Sequence, residues 1–514
     1  MKILKWKINE KLVAVIAIVC FVCLCLLPLL MIARYNHPCA DDYGYGIDVR
    51  FSWRDNHSVW KAVTAAVGRA EHTYETWQGT FNSIFLMALT PAAFGEQYYW
   101  IVPYIMLGIL TISVLYLSKV VLHDLLKATY ANSIILAVIL LFMMIEGIYT
   151  PASAFFWYNA AVHYTFMQAV MFLMVAFTIR AVTADKSVIR IVACIMAMLC
   201  AYCVGGGNYL NALIGIVLIV SLSILFTVIY LSAKRQKSDL NHSQKFKYFY
   251  LTYIPLFVFG IAFIINVSAP GNAIRGGNFA DVSAVVAILR SFVSGFKYCS
   301  KWMSMFTFVL LILALPSVWA IVKRTNYSFR FPLLVLLFSF CLFSASFTSS
   351  HYGLGQEGLP RTFNNCKMLY HLLLIANEVY FVGWIQRFLQ KIMKKKSKSF
   401  EVTHGVIFYL IVSLMLAGVF LACDNKEAYY PSYASAKYMR QGFALYYHIQ
   451  YQERVTLLNG PEKVVYLNEI APKLNVLYVD DITTNPEDWR NQQYARWHGK
   501  DQVILVPWEE WYQP

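Results

Sequence analysis

A chain of 514 residues that is 59% hydrophobic and only 14% charged cannot cover its surface with polar groups in water, since soluble domains run at about 45–50% and ~25%. That composition excludes a water-soluble enzyme, a disordered protein and a disulfide-stapled secreted scaffold. The formal charge of +15 raises nucleic-acid binding as a question, which the placement of the basic residues answers.

In chain order, eleven stretches reach the roughly 20 apolar residues a membrane-crossing helix needs: 11–33, 97–118, 131–149, 164–182, 187–204, 208–232, 248–268, 302–322, 331–347, 366–386 and 404–422. The first has too long an apolar run for a cleavable signal peptide, and no small-residue cleavage site follows it. Segment 79–94 is apolar but short and contains Pro91. It reads as lying in the interface or dipping into it, with a twelfth span as the alternative.

Lys2, Lys5, Lys7 and Lys11 hold the N-terminus inside by the positive-inside rule, and orientation then alternates. More than half of the 43 Lys and Arg fall in the resulting inner loops, among them Lys119, Arg180, Arg190, Lys237, Lys245, Lys323, Arg387 and Lys394–Lys396. The basic excess is therefore a topology signal, and nucleic acid is not an expected partner. The same alternation places residues 423–514 outside. Their acidic residues and runs such as VVYLN and QVILVPW predict a small extracytoplasmic α/β domain. The expected fold is an all-α polytopic membrane protein of about 11 transmembrane helices over 1–422, with a first outer loop at 34–78, followed by that domain. Cys20, Cys23, Cys25, Cys194, Cys200 and Cys341 lie well inside predicted spans, with Cys203 and Cys366 at the outer ends of spans; there Cys acts as a small apolar residue.

The inner loops hold little beyond basic residues. Every unusual polar cluster falls on the outer side, so function is expected to face outward. The first outer loop carries H-P-C-A-D-D-Y-G-Y-G, with Asp41 and Asp42 a few residues beyond the first span. Adjacent carboxylates repel and, near a membrane, lose solvation. Both effects raise a pKa towards that of a general base; a solvated loop with two ordinary aspartates is the alternative. Tyr43 and Tyr45 are interface aromatics, and Gly44 and Gly46 allow a tight turn. Glu71, His72, Glu75 and Trp77 follow, with Glu71, Tyr74 and Glu75 on one helix face. No complete ligand set is visible there, so no metal is assigned and a divalent-cation requirement stays open.

The segment 147–166 is aromatic, with Trp157 and His163; interface belts look like this, and so do sugar-stacking platforms. Glu146 and Glu378 are acidic residues at membrane depth, functional candidates by default or hydrogen-bonded to a neighbouring helix. The glycines at 205–207 suit a tight helical hairpin or a close approach of backbone to ligand. N-V-S-A-P-G-N-A-I-R brings Asn272 and Arg275 just beyond a span, and H-Y-G-L-G-Q-E-G-L-P-R-T-F brings Arg361 just before one. Both arginines sit on the side the positive-inside rule leaves unexplained. Their donor forks suit phosphate, either a gripped lipid phosphate or ordinary headgroups.

The order C-A-D-D-Y-G-Y, Y-E-T-W-Q-G-T-F, A-P-G-N-A-I-R and L-P-R-T-F, with D-I-T-T-N-P-E-D-W-R-N-Q-Q-Y-A in the tail, resembles an uncharacterised bacterial family of polytopic GT-C-type membrane glycosyltransferases, similar in character to O-antigen glucosyltransferases. One departure stands out: the family pattern W-x-G-R has an arginine where this chain has Thr80. The resemblance implies a multi-pass protein of the cell inner (cytoplasmic) membrane with its active site on the extracytoplasmic side. The implied reaction is inverting transfer of a sugar from a polyprenyl-phosphate-linked donor to an extracytoplasmic glycan or lipid-linked acceptor of the cell envelope, with membrane lipids as further partners. Asp41 or Asp42 would be the base. Arg275 and Arg361 would bind the donor phosphate. Tyr43, Glu71, Trp77, Glu146, Trp157, His163 and Asn272 would contact substrate.

The chemistry is consistent with the residues. A polyprenyl phosphate leaves as a stable anion, so it needs positive charge and no proton donor, while the acceptor hydroxyl needs a base. No nucleotide-sugar Rossmann domain is visible. The main rival is a transporter or flippase of a lipid-linked saccharide, whose site would lie near the midplane among broken helices. Sparse intramembrane charge and rich outer-loop polarity weigh against it. An acyltransferase using His163 or His371 lacks a His-x-x-x-x-Asp signature.

Overall fold

The computed structural model describes residues 10–235, 246–277, 282–393 and 406–508. Of the inner-loop residues that set the expected topology, Lys2, Lys5, Lys7, Lys237, Lys245 and the run Lys394–Lys396 lie outside the described residues.

The chain is an all-α membrane bundle carrying a small α/β element near its C-terminus. Among the described residues nine helices are long and apolar enough to cross a membrane: Val15–Tyr35, Glu96–Leu125, Tyr158–Thr183, Ser187–Gly205, Tyr209–Arg235, Phe249–Val267, Met305–Arg324, Pro332–Leu354 and Pro360–Ile392. Each coincides with an expected stretch. The other two expected spans form the shorter apolar helices Tyr130–Glu146 and Ile407–Leu421. At 1.5 Å per residue the 17 residues of Tyr130–Glu146 reach about 25 Å, less than the ~30 Å of a hydrocarbon core. This helix is buried on every side from Ile135 to Glu146, packed among Val15–Tyr35, Glu96–Leu125, Met305–Arg324 and Pro360–Ile392. Its uniform hydrophobicity serves a protein core rather than a lipid-facing surface.

The first outer loop is helical. Asp41–Asn56 and Val59–Thr76 pack on each other, the second opening on the Ser58 cap, whose side chain accepts from Lys61 N and satisfies one of the first-turn donors. Ala62, Ala66, Ala70 and Thr73, spaced three and four apart, form its buried face. The tight turn that Gly44 and Gly46 would allow is instead part of a helix that starts at Asp41. Segment 79–94 forms two short helices, Phe81–Ala88 and Pro91–Phe94, the second opening on Pro91, and it packs against both loop helices. A Cβ at Gly46 would stand 2.5 Å from Thr90 Cγ2, so that glycine serves a close helix contact.

The segment 147–166 is not an exposed belt. It folds into the bundle as two wide π-turns, Ala152–Phe156 and Val162–Phe166, around the short helix Tyr158–Ala161, with Phe155 and Phe156 fully buried. A helix broken at this depth must have its backbone groups satisfied by neighbours, and three remote residues do so. Asn36 Nδ2 donates to Phe156 O at 2.8 Å, Tyr158 N donates to Tyr99 Oη at 2.8 Å, and Asn159 N donates to Asp42 Oδ1 at 3.2 Å.

Beyond residue 423 the strands β1 (Val464–Asn468) and β2 (Gln502–Val506) pair in parallel, Val465 opposite Val503. The helix Trp489–His498 lies in the crossover between them, as a parallel pair requires. Val465 and Leu467 bury the inner face of β1. The helix Phe443–Asn459 supplies Arg454, which forks onto Asp481 at 2.7 and 2.8 Å and donates to Asn468 O.

Candidate active site

Ala40 has φ 48° and ψ −122°, a backbone state that a residue with a Cβ rarely adopts. This kink ends the approach from the first span and starts a helix on Asp41. Two consecutive helical side chains point about 100° apart, and the two carboxylates accordingly meet different surroundings.

Asp42 is fully buried. Its Oδ2 accepts from Cys39 N at 3.1 Å and from the Tyr99 hydroxyl, and its Oδ1 accepts from Asn159 N. Burial pushes its pKa up to about 7, against the lowering effect of those three donors. Asp41 is half-buried, and among the described residues its carboxylate takes no side-chain hydrogen bond. Burial raises its pKa above the ordinary 3.8; Arg361 acts against that rise and Asp480 adds to it. One aspartate is fixed in the fold. The other is half-buried and within electrostatic reach of Arg361.

The Tyr45 phenol is pushed up by burial and by Asp41, and pulled down by Arg275, Arg69 and Arg361. Three arginines from distant parts of the chain therefore act on one point beside Asp41. Arg361 lies 5.7 Å from the Trp157 ring centre and Arg275 lies 5.6 Å from that of Trp77. Arg275 also donates to Gln78 Oε1, and Arg69 pairs with Asp48.

Arg275 is held by an interlock of two sequence motifs. Asn272 Oδ1 accepts from Gly79 N at 2.9 Å and from the Tyr209 hydroxyl, while its Nδ2 donates to Asn266 O at 2.8 Å. A Cβ on Gly79 would stand 1.8 Å from Asn266 O, and one on Gly271 would stand 2.4 Å from Trp77 N. Backbone passes backbone here at a distance only glycine permits.

A cavity of ≈ 1040 Å³ opens beside this interlock. Gln78, His163, Asn208, Asn272, Arg275 and Thr362 form its polar wall, and Leu213, Phe263, Val267, Ile288 and Leu354 its apolar wall. Most of the apolar residues belong to spanning helices, so the space combines a cation with the surface of a membrane bundle.

Of the expected site residues, His163, Asn272 and Arg275 line the cavity; Trp77 lies against Arg275 and Trp157 against Arg361, and Asp41 is within electrostatic reach of Arg361. Tyr43 and Glu146 instead hold the C-terminal segment. The Tyr43 hydroxyl donates to Pro38 O and meets the Tyr451 hydroxyl at 2.7 Å, and its ring stands edge-on to Tyr494 and Trp497. Glu146 is buried and accepts from Ser432. Glu71 is exposed on the outer helix. Sequence reasoning missed Arg69, Ser83, Tyr99 and Asn159. Arg69 carries the signal that marked Arg275 and Arg361, a basic residue on the outer side; the other three carry none. Among the described residues no group of three His, Cys, Asp or Glu is placed to hold a metal ion.

No protein-family model and no curated protein matches the chain. Among solved structures, the crystal structure of ArnT from Cupriavidus metallidurans bound to undecaprenyl phosphate is similar over 96% of this chain and 89% of that one, at 13% sequence identity and a TM-score of 0.38. A likeness that distant assigns no activity to this protein.

Proposed function

We propose that this protein is a GT-C-type glycosyltransferase of a bacterial cytoplasmic membrane, transferring a sugar from a polyprenyl-phosphate-linked donor to an extracytoplasmic glycan or lipid-linked acceptor. One observation carries the reading: Asp41, a carboxylate with no hydrogen-bond partner among the described residues, lies in the field of Arg361, and both it and Arg275 act electrostatically on the Tyr45 phenol; Arg275 lines a large cavity walled by membrane helices. A prenyl chain fits the apolar wall, and its phosphate fits the arginines. Asp41 takes the proton of the acceptor hydroxyl as that oxygen attacks the anomeric carbon. The bond from that carbon to the phosphate oxygen breaks on the opposite side, and the configuration inverts. The departing phosphate gains negative charge next to fixed guanidinium groups, where electrostatic stabilisation is most effective. Asp42, tied to Tyr99, Cys39 and Asn159, orients the helix start that presents Asp41.

The test is glycan analysis by mass spectrometry of cells with the intact protein, without it, and with Asp41→Asn. The expected result is loss of one sugar residue from an envelope polysaccharide in the last two. Unchanged glycan chemistry, with lipid-linked saccharide accumulating on one leaflet, would replace transfer with transport.

A further inference from the structure

The cavity wall contains a hydrogen-bond chain that phosphate binding does not use. The Ser83 hydroxyl donates to Thr80 O at 3.0 Å. A hydroxyl has one proton to give, so with that proton on Thr80 O the 2.8 Å pair of Ser83 Oγ and His163 Nδ1 assigns the ring proton to Nδ1. Asn208 holds the same turn from the other side: its Nδ2 donates to His163 O, and its Oδ1 accepts from Asn211 N at 2.9 Å. The ring is thereby fixed with Nδ1–H turned to Ser83. Its other nitrogen, Nε2, has no partner among the described residues, and the ring borders the cavity. In the neutral ring Nε2 carries a lone pair.

Three polar side chains of the same wall are already engaged. Gln78 Oε1 takes Arg275, Asn272 is bonded through both ends of its amide, and the Thr362 hydroxyl donates to Leu359 O. A phosphate diester offers only acceptors, which suit Arg275 and repel a lone pair. Nε2 calls for a donor, and the part of a lipid-linked sugar that offers one is a sugar hydroxyl.

We propose that His163 is a positioning and specificity residue that accepts, through Nε2, a hydrogen bond from a hydroxyl of the sugar to be transferred, beside the phosphate held by Arg275. The proposal rests on the transfer reading above and adds which part of the donor the wall recognises.

The experiment compares two lipids on the full-length protein in detergent: bare polyprenyl phosphate, and the polyprenyl-phosphate-linked hexose that the wild type binds most tightly among glucose, galactose and mannose. His163→Ala should weaken the hexose-linked lipid by about tenfold, the size of one hydrogen bond lost, and leave bare polyprenyl phosphate unchanged. Ser83→Ala, which frees Nδ1, should lose selectivity in the same direction but less. His163→Gln, of similar reach, should recover part of the preference, and melting curves confirm that each variant is folded. Equal weakening of both lipids would make His163 a phosphate contact and overturn the proposal, as would unchanged affinity for both. A wild type that bound neither lipid would overturn the transfer reading itself, a result distinct from either of these.

Discussion

Asp41 and Asp42 are neighbours in different surroundings, and the difference yields two predictions. Asp41→Asn keeps the shape of the side chain and cannot take a proton. Transfer should fall by about 10²–10⁴-fold, the usual worth of a general base, while the amount of protein in the membrane stays at the wild-type level. Wild-type activity should rise with pH through a value above the ordinary 3.8, since the base acts ionised. Full activity in Asp41→Asn would remove this residue from the chemistry. Asp42 speaks to stability. Its folded value of about 7 stands above the unfolded 3.8, so the folded state holds a proton that the unfolded state has released. The stabilisation linked to that proton is complete below the unfolded value and is lost as pH rises through about 7. Melting temperature in detergent should therefore fall between pH 5 and pH 8, more steeply in the wild type than in Asp42→Asn; equal slopes would contradict the assignment. The acidic pair itself was legible in the sequence because adjacent carboxylates beside a span are unusual. Their division of labour was not, because Tyr99, 57 positions away, and Asn159, 117 positions away, supply the donors that hold Asp42.

At the scale of elements, the interlock of Gly79 and Gly271 sets the place of Arg275. Gly271→Ala would put a methyl 2.4 Å from Trp77 N and 2.7 Å from Gln78 N, where backbone has to move. Overpacking of this kind costs about 1–3 kcal/mol, and the helix that shifts, Pro270–Gly276, is the one that carries Arg275. The expected outcome is a lower melting temperature together with weaker binding of polyprenyl phosphate; wild-type values for both would show that the close approach does not position the arginine. The two motifs could be singled out along the chain, yet their contact could not, since a glycine in sequence says only that space is short somewhere. The aromatic segment 147–166 shows the opposite case. A surface belt and a buried break have the same composition. What separates them is the set of polar partners, Asn36, Tyr99 and Asp42, brought in from two other regions of the chain.

For the whole molecule, the question is which side of the membrane the site faces, and the fold reduces it to one experiment. The C-terminal segment is bound to the face that carries Asp41. Trp497 Nε1 donates to Glu96 Oε1 at 2.7 Å, His448 Nδ1 and His37 Nε2 stand 2.9 Å apart, and Ser432 caps Glu146. The 30-residue helix that begins at Glu96 ends at Leu125, and near that far end Lys119 and Arg180 share Asp124. A helix of this length spans about 45 Å, so the two ends lie on opposite faces of the bundle. The hydrophobic pattern made the helices readable, and the Lys and Arg count made a sidedness readable, because both are local properties of the chain. The joining of residues 431–498 to the face that carries Asp41 was not, because it depends on pairs of side chains hundreds of positions apart. Positive-inside placement assigns the Lys119 and Arg180 face to the cytoplasm and the Asp41 face to the exterior. In a cysteine-depleted protein, Thr484→Cys, on an exposed loop of the C-terminal segment, should react with a membrane-impermeant maleimide in intact cells. Lys186→Cys, exposed beside Arg180, should react only after permeabilisation. The reverse labelling would turn the site towards the cytoplasm, and the extracytoplasmic transfer proposed for Asp41 and the arginines would have to be abandoned.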